Sequence, residues 1–259
     1  MADMAVSEGF QPVKSAGRAL DVLEALADSP GRRSLMELAR DLGIPKSSLH
    51  GILRTLAQRG WVETDETGTR FRLGLRALQV GAAYLAADDV VGLVSGALDE
   101  LSRQFGETVH FGRLDGAYVV YLAKRESVHP LRLYSAIGRR LPAHATALGK
   151  VLLSQRDDYE ELLTWPLPAL TSRTITDRER LRAELAAVRE RGYAVDREES
   201  TEGIVCFAVA LPLGDPATDA ISMSVPVARL APHREPELVA ALRRAAERIG
   251  AARGLVAST

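Results

Sequence analysis

The chain opens with apolar positions spaced for helices. In residues 15–28, SAGRALDVLEALAD, Ala19, Leu20, Leu23, Leu26 and Ala27 recur at helical spacing, and Ser29-Pro30-Gly31 ends the run. SLMELARDLG predicts a second helix, with Ser34 as N-cap, Glu37 as its capping-box partner and Gly43 past the last turn. Beyond Gly43-Ile44-Pro45, a third helix is predicted over KSSLHGILRTLAQRG, with Pro45 at its start and Gly60 at its end. Leu49, Ile52, Leu53 and Leu56 form its core stripe. Opposite them lie Ser47, Gly51, Arg54 and Gln58, with Ser48 and His50 near the N-terminal end. Two helices joined by a short, glycine-containing turn are a helix-turn-helix pattern. The small and hydrogen-bonding groups on the third helix suit base edges or phosphates in a major groove.

Trp61-Val62 and Arg70-Phe71-Arg72-Leu73 read as two strands about a turn at Thr67-Gly68. A hairpin directly after a recognition helix is a wing, and Arg70 near its tip is placed to reach the DNA backbone or a minor groove. A small helical domain that binds another protein is the competing reading; it would show no salt-dependent DNA affinity. From Leu75 to about Ala87, Leu75, Leu78, Ala82 and Leu85 follow the spacing of a helical seam, which either pairs with a second copy or packs on its own domain.

After Asp88-Asp89, DVVGLVSGALDELSRQFG predicts an amphipathic helix. ETVHFGRL and AYVVYLAKR then read as strands joined at Asp115-Gly116, and LRLYSAIG as a third strand. GRRLPAHATALGKVLLS reads as a loop entering a helix, TDRERLRAELAAVRERG as a helix, GIVCFAVALPL and ISMSVPV as strands, and 235–255 as a closing helix. Hairpins mixed with helices indicate an α+β domain rather than a doubly wound parallel sheet. The predicted division is 1–74, winged helix; 75–89, linker and dimerisation helix; and 90–259, second domain.

Composition narrows the class without naming a partner. At 46% hydrophobic and 26% charged residues the chain is ordinary globular protein. No basic segment precedes an apolar run at the N-terminus, no stretch has the length of a membrane span, and Cys206 is the lone cysteine; a reducing cytoplasm fits. Residues 1–80 hold eleven Lys/Arg against ten Asp/Glu, so no global basic bias points to nucleic acid. Locally, Arg32, Arg33, Arg40, Lys46, Arg54 and Arg59 face only Glu37 and Asp41, either a phosphate-binding patch or a solvated face.

Over residues 12–255 the sequence resembles the IclR family of bacterial regulators. The segments that carry the resemblance are VKSAGRALDVLEAL, ELARDLGIPKSSLHGILRTLAQRGWVE, FRLG, GRRLPAHATALGKVLL, TSRTIT, VRERGYAVDREES, GIVCFAVALPL and ISMSVPVARL. The resemblance implies a winged helix, a linker helix and a GAF- or profilin-like effector-binding domain. It implies homodimers, with a dimer of dimers as the higher assembly, that bind operator DNA and control a catabolic operon, more often as repressors. DNA contacts implied by position are Lys14, Arg18, Lys46, Ser47, Ser48, His50, Arg54 and Arg70. Where the family usually carries arginine after the His50 position this chain has Gly51, which implies altered operator preference. The implied effector site is Asp196, Cys206, Ser222 and Ser224 with the amides of Ala147 and Leu148, a set seen in a member that senses glyoxylate and pyruvate.

Elementary chemistry sharpens that set. Thr146 reads as an N-cap, so the amides behind it face an anion at the positive end of a helix. Ser222 and Ser224 share one strand face, either as a carboxylate cradle or as the polar side of a half-buried strand. An ionised Asp196 only accepts hydrogen bonds and repels a bare carboxylate, so the expected effector is a small organic acid that also carries a donor. Cys206 reads as a buried small hydrophobe or as a pocket wall. For catalysis the one combination to consider is Cys206 with His144 and Asp196, but no nucleophile turn surrounds Cys206. His50, His110, His129, His144 and His233 lack metal-ligand spacing and no nucleotide motif occurs, so no catalytic residue, metal or cofactor is expected. Pocket size is expected to depend on Phe111, Tyr121 and Leu133.

Overall fold

The computed structural model describes residues 12–29, 31–133, 135–231 and 233–256. The chain divides between Tyr84 and Leu85 into two compact units.

In the first unit, α1 (Lys14–Ala27), α2 (Leu35–Leu42) and α3 (Lys46–Gln58) pack around Val22, Leu26, Leu38, Leu49 and Leu53. Strands β1 (Arg33–Ser34), β2 (Val62–Thr64) and β3 (Arg70–Leu73) form a small antiparallel sheet in the order β1-β3-β2. The Ser34/Glu37 capping box is present, and Gly43 closes α2 in the left-handed conformation, φ 61°. The core face of α1 differs from the sequence expectation. Val22, absent from that stripe, is fully buried, whereas Leu20 is 60% exposed and Ala27 is exposed. Packing against α3 selects the Val22/Leu26 line, rotated from the one that spacing suggests. Helix α4 (Leu75–Ala87) buries none of its residues; Leu75, Leu78, Val80 and Tyr84 are exposed.

In the second unit, β4 (Thr108–Asp115), β5 (Tyr118–Arg125), β6 (Arg140–Pro142), β7 (Ala194–Arg197), β8 (Ile204–Ala210) and β9 (Asp219–Pro226) form one antiparallel sheet, in the order β6-β5-β4-β9-β8-β7. The Asp115-Gly116 turn joins β4 to β5, with Gly116 at φ 56°. LRLYSAIG is not a strand: its described residues form no ladder, and the edge partner of β5 is the short Arg140–Pro142 segment. Tyr134 lies outside the described residues.

Helices α5 (Asp89–Phe105) and α9 (Arg234–Val256) cover one sheet face over Val109, Phe111, Phe207, Ile221 and Met223. Helices α6 (Ala147–Leu153) and α8 (Arg178–Arg191) cover the other over Val119, Tyr121, Cys206, Ala208 and Ala220, with the one-turn α7 (Tyr159–Leu162) beside them. Period-two alternation assigns Phe111 to the α5 face, away from the side expected for it, while Tyr121 and Leu133 belong to the α6 side. Asp88 caps α5 at the Val90 and Val91 amides, and its carboxylate also meets Arg113 of β4. Arg113 reaches at the same time to Asp219 of β9, 2.7 Å away.

Candidate functional site

The first candidate surface is the outer face of α3. Pro45 starts the helix, and burial of Leu49, Leu53 and Leu56 turns Lys46, Ser47, Ser48, His50, Gly51 and Arg54 to solvent. Arg70 is exposed at the start of β3, Lys14 is exposed on α1 and Arg18 is half-buried. The wing tip is built by Asp65, which accepts the Thr69 and Arg70 amides at 2.9 and 3.0 Å and the Thr67 hydroxyl at 2.9 Å. The basic patch is smaller than composition suggests. Arg33 and Arg40 both pair with Asp41, and Arg32 donates to the Glu63 carbonyl. Among the described residues no acidic side chain pairs with Lys46, Arg54 or Arg59, so these remain available to an outside anion.

The second candidate site is a polar strip on the α6 side of the large sheet. Strand register aligns Asp196 with Cys206, Cys206 with Ser224, and Ser224 with Thr108. One step along, Ala208 aligns with Ser222, Ser222 with His110 and His110 with Lys124. Asp196, Cys206, Ser222, Ser224, Thr108 and His110 are all buried. Helix α6 lies over these strands. Thr146 Oγ1 accepts the Gly149 amide at 3.0 Å and the Thr146 carbonyl accepts the Lys150 amide at 2.9 Å. The Ala147 and Leu148 amides precede that first intrahelical bond. Gly149 is required here, since a Cβ would lie 2.1 Å from the Ala143 carbonyl oxygen.

Asp196 is engaged by its own loop. It accepts the Glu199 amide at 2.6 Å, the Ser200 amide at 3.2 Å and the Ser200 hydroxyl at 2.5 Å. Burial pushes its carboxyl up to about 6, against the lowering pull of Ser200 and the Glu199 amide, while the nearby Glu199 charge raises it further. Cys206 Sγ lies 3.1 Å from Ser224 Oγ. Burial first, and then Asp196, push its thiol well above the ordinary range, so it is held as a thiol and not as a nucleophilic thiolate. His144 does not complete a triad, because its Nε2 lies 3.0 Å from the Pro168 carbonyl oxygen. No group of three or more His, Cys, Asp or Glu among the described residues could hold a metal.

Sequence reasoning passed over the buried ion cluster beneath this strip. Lys150, 1% exposed, places Nζ 2.6 Å from Glu199 Oε1 and 3.3 Å from Glu184 Oε1. A lysine inside the otherwise apolar ALGKVLL helix was the available signal. Thr108 and His110 were also missed, although the alternation in ETVHF sets polar residues opposite Ser224 and Ser222. Two surface clefts, of about 590 and 400 Å³, lie elsewhere: one beside Tyr193 and α9, the other between α6 and α8.

The family model described as "IclR helix-turn-helix domain" matches residues 15–66, and that described as "Bacterial transcriptional regulator IclR C-terminal" matches residues 82–251. The chain belongs to the IclR family of transcriptional regulators. It is 35% identical to the HTH-type transcriptional regulator KdgR of Escherichia coli, over 98% of both chains. It is 33% identical to the transcriptional repressor IclR of the same organism, over 93% of this chain and 90% of that one. A crystal structure of an IclR-type regulator from Alicyclobacillus acidocaldarius superposes with a TM-score of 0.81 at 26% identity, covering 94% of this chain and all of that one. This IclR-family protein is therefore a DNA-binding transcriptional regulator with an effector-binding C-terminal domain, not an enzyme. No single helix among its described residues is long and apolar enough to cross a membrane.

Proposed function

We propose that this regulator represses a catabolic operon and is controlled by a small organic acid that also carries a hydrogen-bond donor. In this reading residues 1–74 bind operator DNA through Lys14, Arg18, Lys46, Ser47, Ser48, His50, Arg54 and Arg70. Residues 75–89 link and dimerise, and residues 90–259 hold the acid through the Ala147 and Leu148 amides, Asp196, Cys206, Ser222 and Ser224. The observation that carries it is the buried polar strip under the start of α6, where hydroxyl and amide donors for a carboxylate sit beside an acceptor that a bare carboxylate would avoid. The exposed Leu75 and Leu78, neighbours on one face of α4, support a homodimer, since an unburied apolar helix face calls for a second copy. Dimers would set two recognition helices about one DNA turn apart, and a pair of dimers would extend the site. The working compartment is then the cytoplasm, where the operator lies.

The test joins a mobility shift on the DNA upstream of the chain's own gene to calorimetry with a panel of carboxylic acids. The expected result is salt-sensitive DNA binding that an acid with a hydroxyl or amide donor modulates, and Ser222→Ala loses that response while keeping DNA binding. Tighter binding of donor-free acids, unaffected by Asp196→Ala, refutes the donor requirement. Absence of any DNA shift refutes the regulator reading of this operator.

A further inference from the structure

Among the described residues, the buried His110 Nδ1 has no hydrogen-bond partner. The ring is fully buried. It stacks on Tyr121 with centroids 4.4 Å apart and planes 18° from parallel, and its Nε2 lies 2.8 Å from Ser135 Oγ. The imidazole is thus fixed on one face and at one nitrogen, leaving Nδ1 as its free polar atom. An unpaired polar atom in a protein interior costs on the order of 1–3 kcal/mol and points to a partner that arrives from outside.

The register says where that partner sits. His110 is directly opposite Ser222, on the α6 side of the sheet, one step along from the Asp196–Cys206–Ser224–Thr108 row. Two residues along a strand span about 7 Å. Ala208, on the other side of Ser222, carries only a methyl group in the same row. At roughly 1.5 Å per carbon–carbon bond, two- and three-carbon acids fall short of joining the two rows.

We propose that His110 is a specificity-determining residue for the effector, selecting an extended monocarboxylic acid whose far end carries a neutral hydroxyl or carbonyl. This rests on the acid-sensing reading given above. The carboxylate occupies the α6 amides and the Ser224 hydroxyl in one row, and the far oxygen meets His110 Nδ1 in the next, beside Ser222. A neutral imidazole with Nε2 accepting from Ser135 donates through Nδ1 to a carbonyl or hydroxyl; the other tautomer accepts from a hydroxyl. Burial, aided by the Lys124 charge, lowers the pKa of His110 to about 3, so the ring stays neutral and supplies no charge for a second carboxylate.

The test is calorimetry on the full chain with matched pairs: pentanoate against 5-hydroxypentanoate, and benzoate against 4-hydroxybenzoate, with pyruvate as the short reference. The expected result is about tenfold tighter binding of the hydroxy acid in at least one pair. His110→Phe, which keeps an aromatic ring on Tyr121, removes that preference, so that both members of a pair bind alike. His110→Asn, whose amide stands near the Nδ1 position, restores part of it. Nitrogen-15 spectra of the wild-type histidines give a readout independent of whether the variants fold: Nδ1 of His110 shifts with the hydroxy acid and not with its parent. Equal binding within both pairs, or a preference that survives His110→Phe, overturns the proposal. Binding of pyruvate that Ser224→Ala abolishes, with no preference within the pairs, overturns it while leaving the acid-sensing reading intact. If none of the five acids binds, both fall.

Discussion

The outer face of α3 and the polar strip of the large sheet both carry hydrogen-bonding groups, but in opposite conditions. On α3 the groups are exposed, and among the described residues no acidic side chain pairs with Lys46 or Arg54, so solvent satisfies them. On the sheet Asp196, Cys206, Ser222, Ser224 and His110 are buried, and neighbours already answer most of their needs. The DNA face can therefore be altered at little cost to stability, with the loss read in affinity and salt dependence. The buried strip is part of the core, and its substitutions change folding and binding together.

The sharpest way to break this contrast is Lys150→Ala. It strands Glu199 and part of Glu184 in the interior, and the expected loss is about 3–5 kcal/mol of unfolding free energy in a denaturant titration. A loss below about 1 kcal/mol would show that water reaches the cluster and that the strip is no core element. On α3, Arg54→Ala is expected to weaken operator binding by about 1–3 kcal/mol, with an unchanged melting temperature. If Arg54 meets a phosphate, the salt slope also falls by about one unit; if it meets a base, discrimination at one position relaxes instead.

A smaller effect concerns the proton on Asp196. Its folded value of about 6 lies above the ordinary 3.8, so its favourable contribution to stability is complete below about pH 4 and is lost as pH rises through about 6. A bare carboxylate bound beside it raises that value further and takes up at most about half a proton per site at pH 6, where half the sites are already protonated, whereas a donor-bearing acid holds Asp196 ionised. Calorimetry in buffers of different ionisation enthalpy separates the two, and the donor-bearing acid is expected to show no uptake. The smallest effect is Gly51→Ala. A Cβ there meets nothing within 4 Å, and the helix gains about 0.5–1 kcal/mol in thermal or chemical unfolding. DNA affinity is expected to stay within a few-fold unless Gly51 itself touches a base.

The two regions were also unequally legible. Ser34, Glu37, Gly43 and the Leu49/Leu53/Leu56 stripe act within one or two helical turns, so local spacing announced α2 and α3 before any tertiary contact was known. The exception, Val22 over Leu20, is a rotation that only packing against α3 decides. The strip depends on register between distant segments, and spacing cannot tell that Asp196, Cys206, Ser224 and Thr108 align. Family resemblance supplied four of its side chains. The rest of the strip, His110 and Thr108, and the Lys150 cluster beneath it required the pairing of β4 with β9 and of α6 with the Asp196 loop. LRLYSAIG failed for a related reason: its apolar alternation is that of a strand, but β5 takes its edge partner from Arg140–Pro142 instead.

Arg113 gives the second unit a rigid coupling. Its guanidinium grips the Asp88 carboxylate that caps α5 and, with another edge, Asp219 at the first position of β9. Asp88 follows Ala87, the last residue of α4, so the strand that carries Ser222 and Ser224 is pinned where α4 ends. The first position of β9 and the first turn of α5 therefore cannot part without breaking one of the two ion pairs that share this guanidinium.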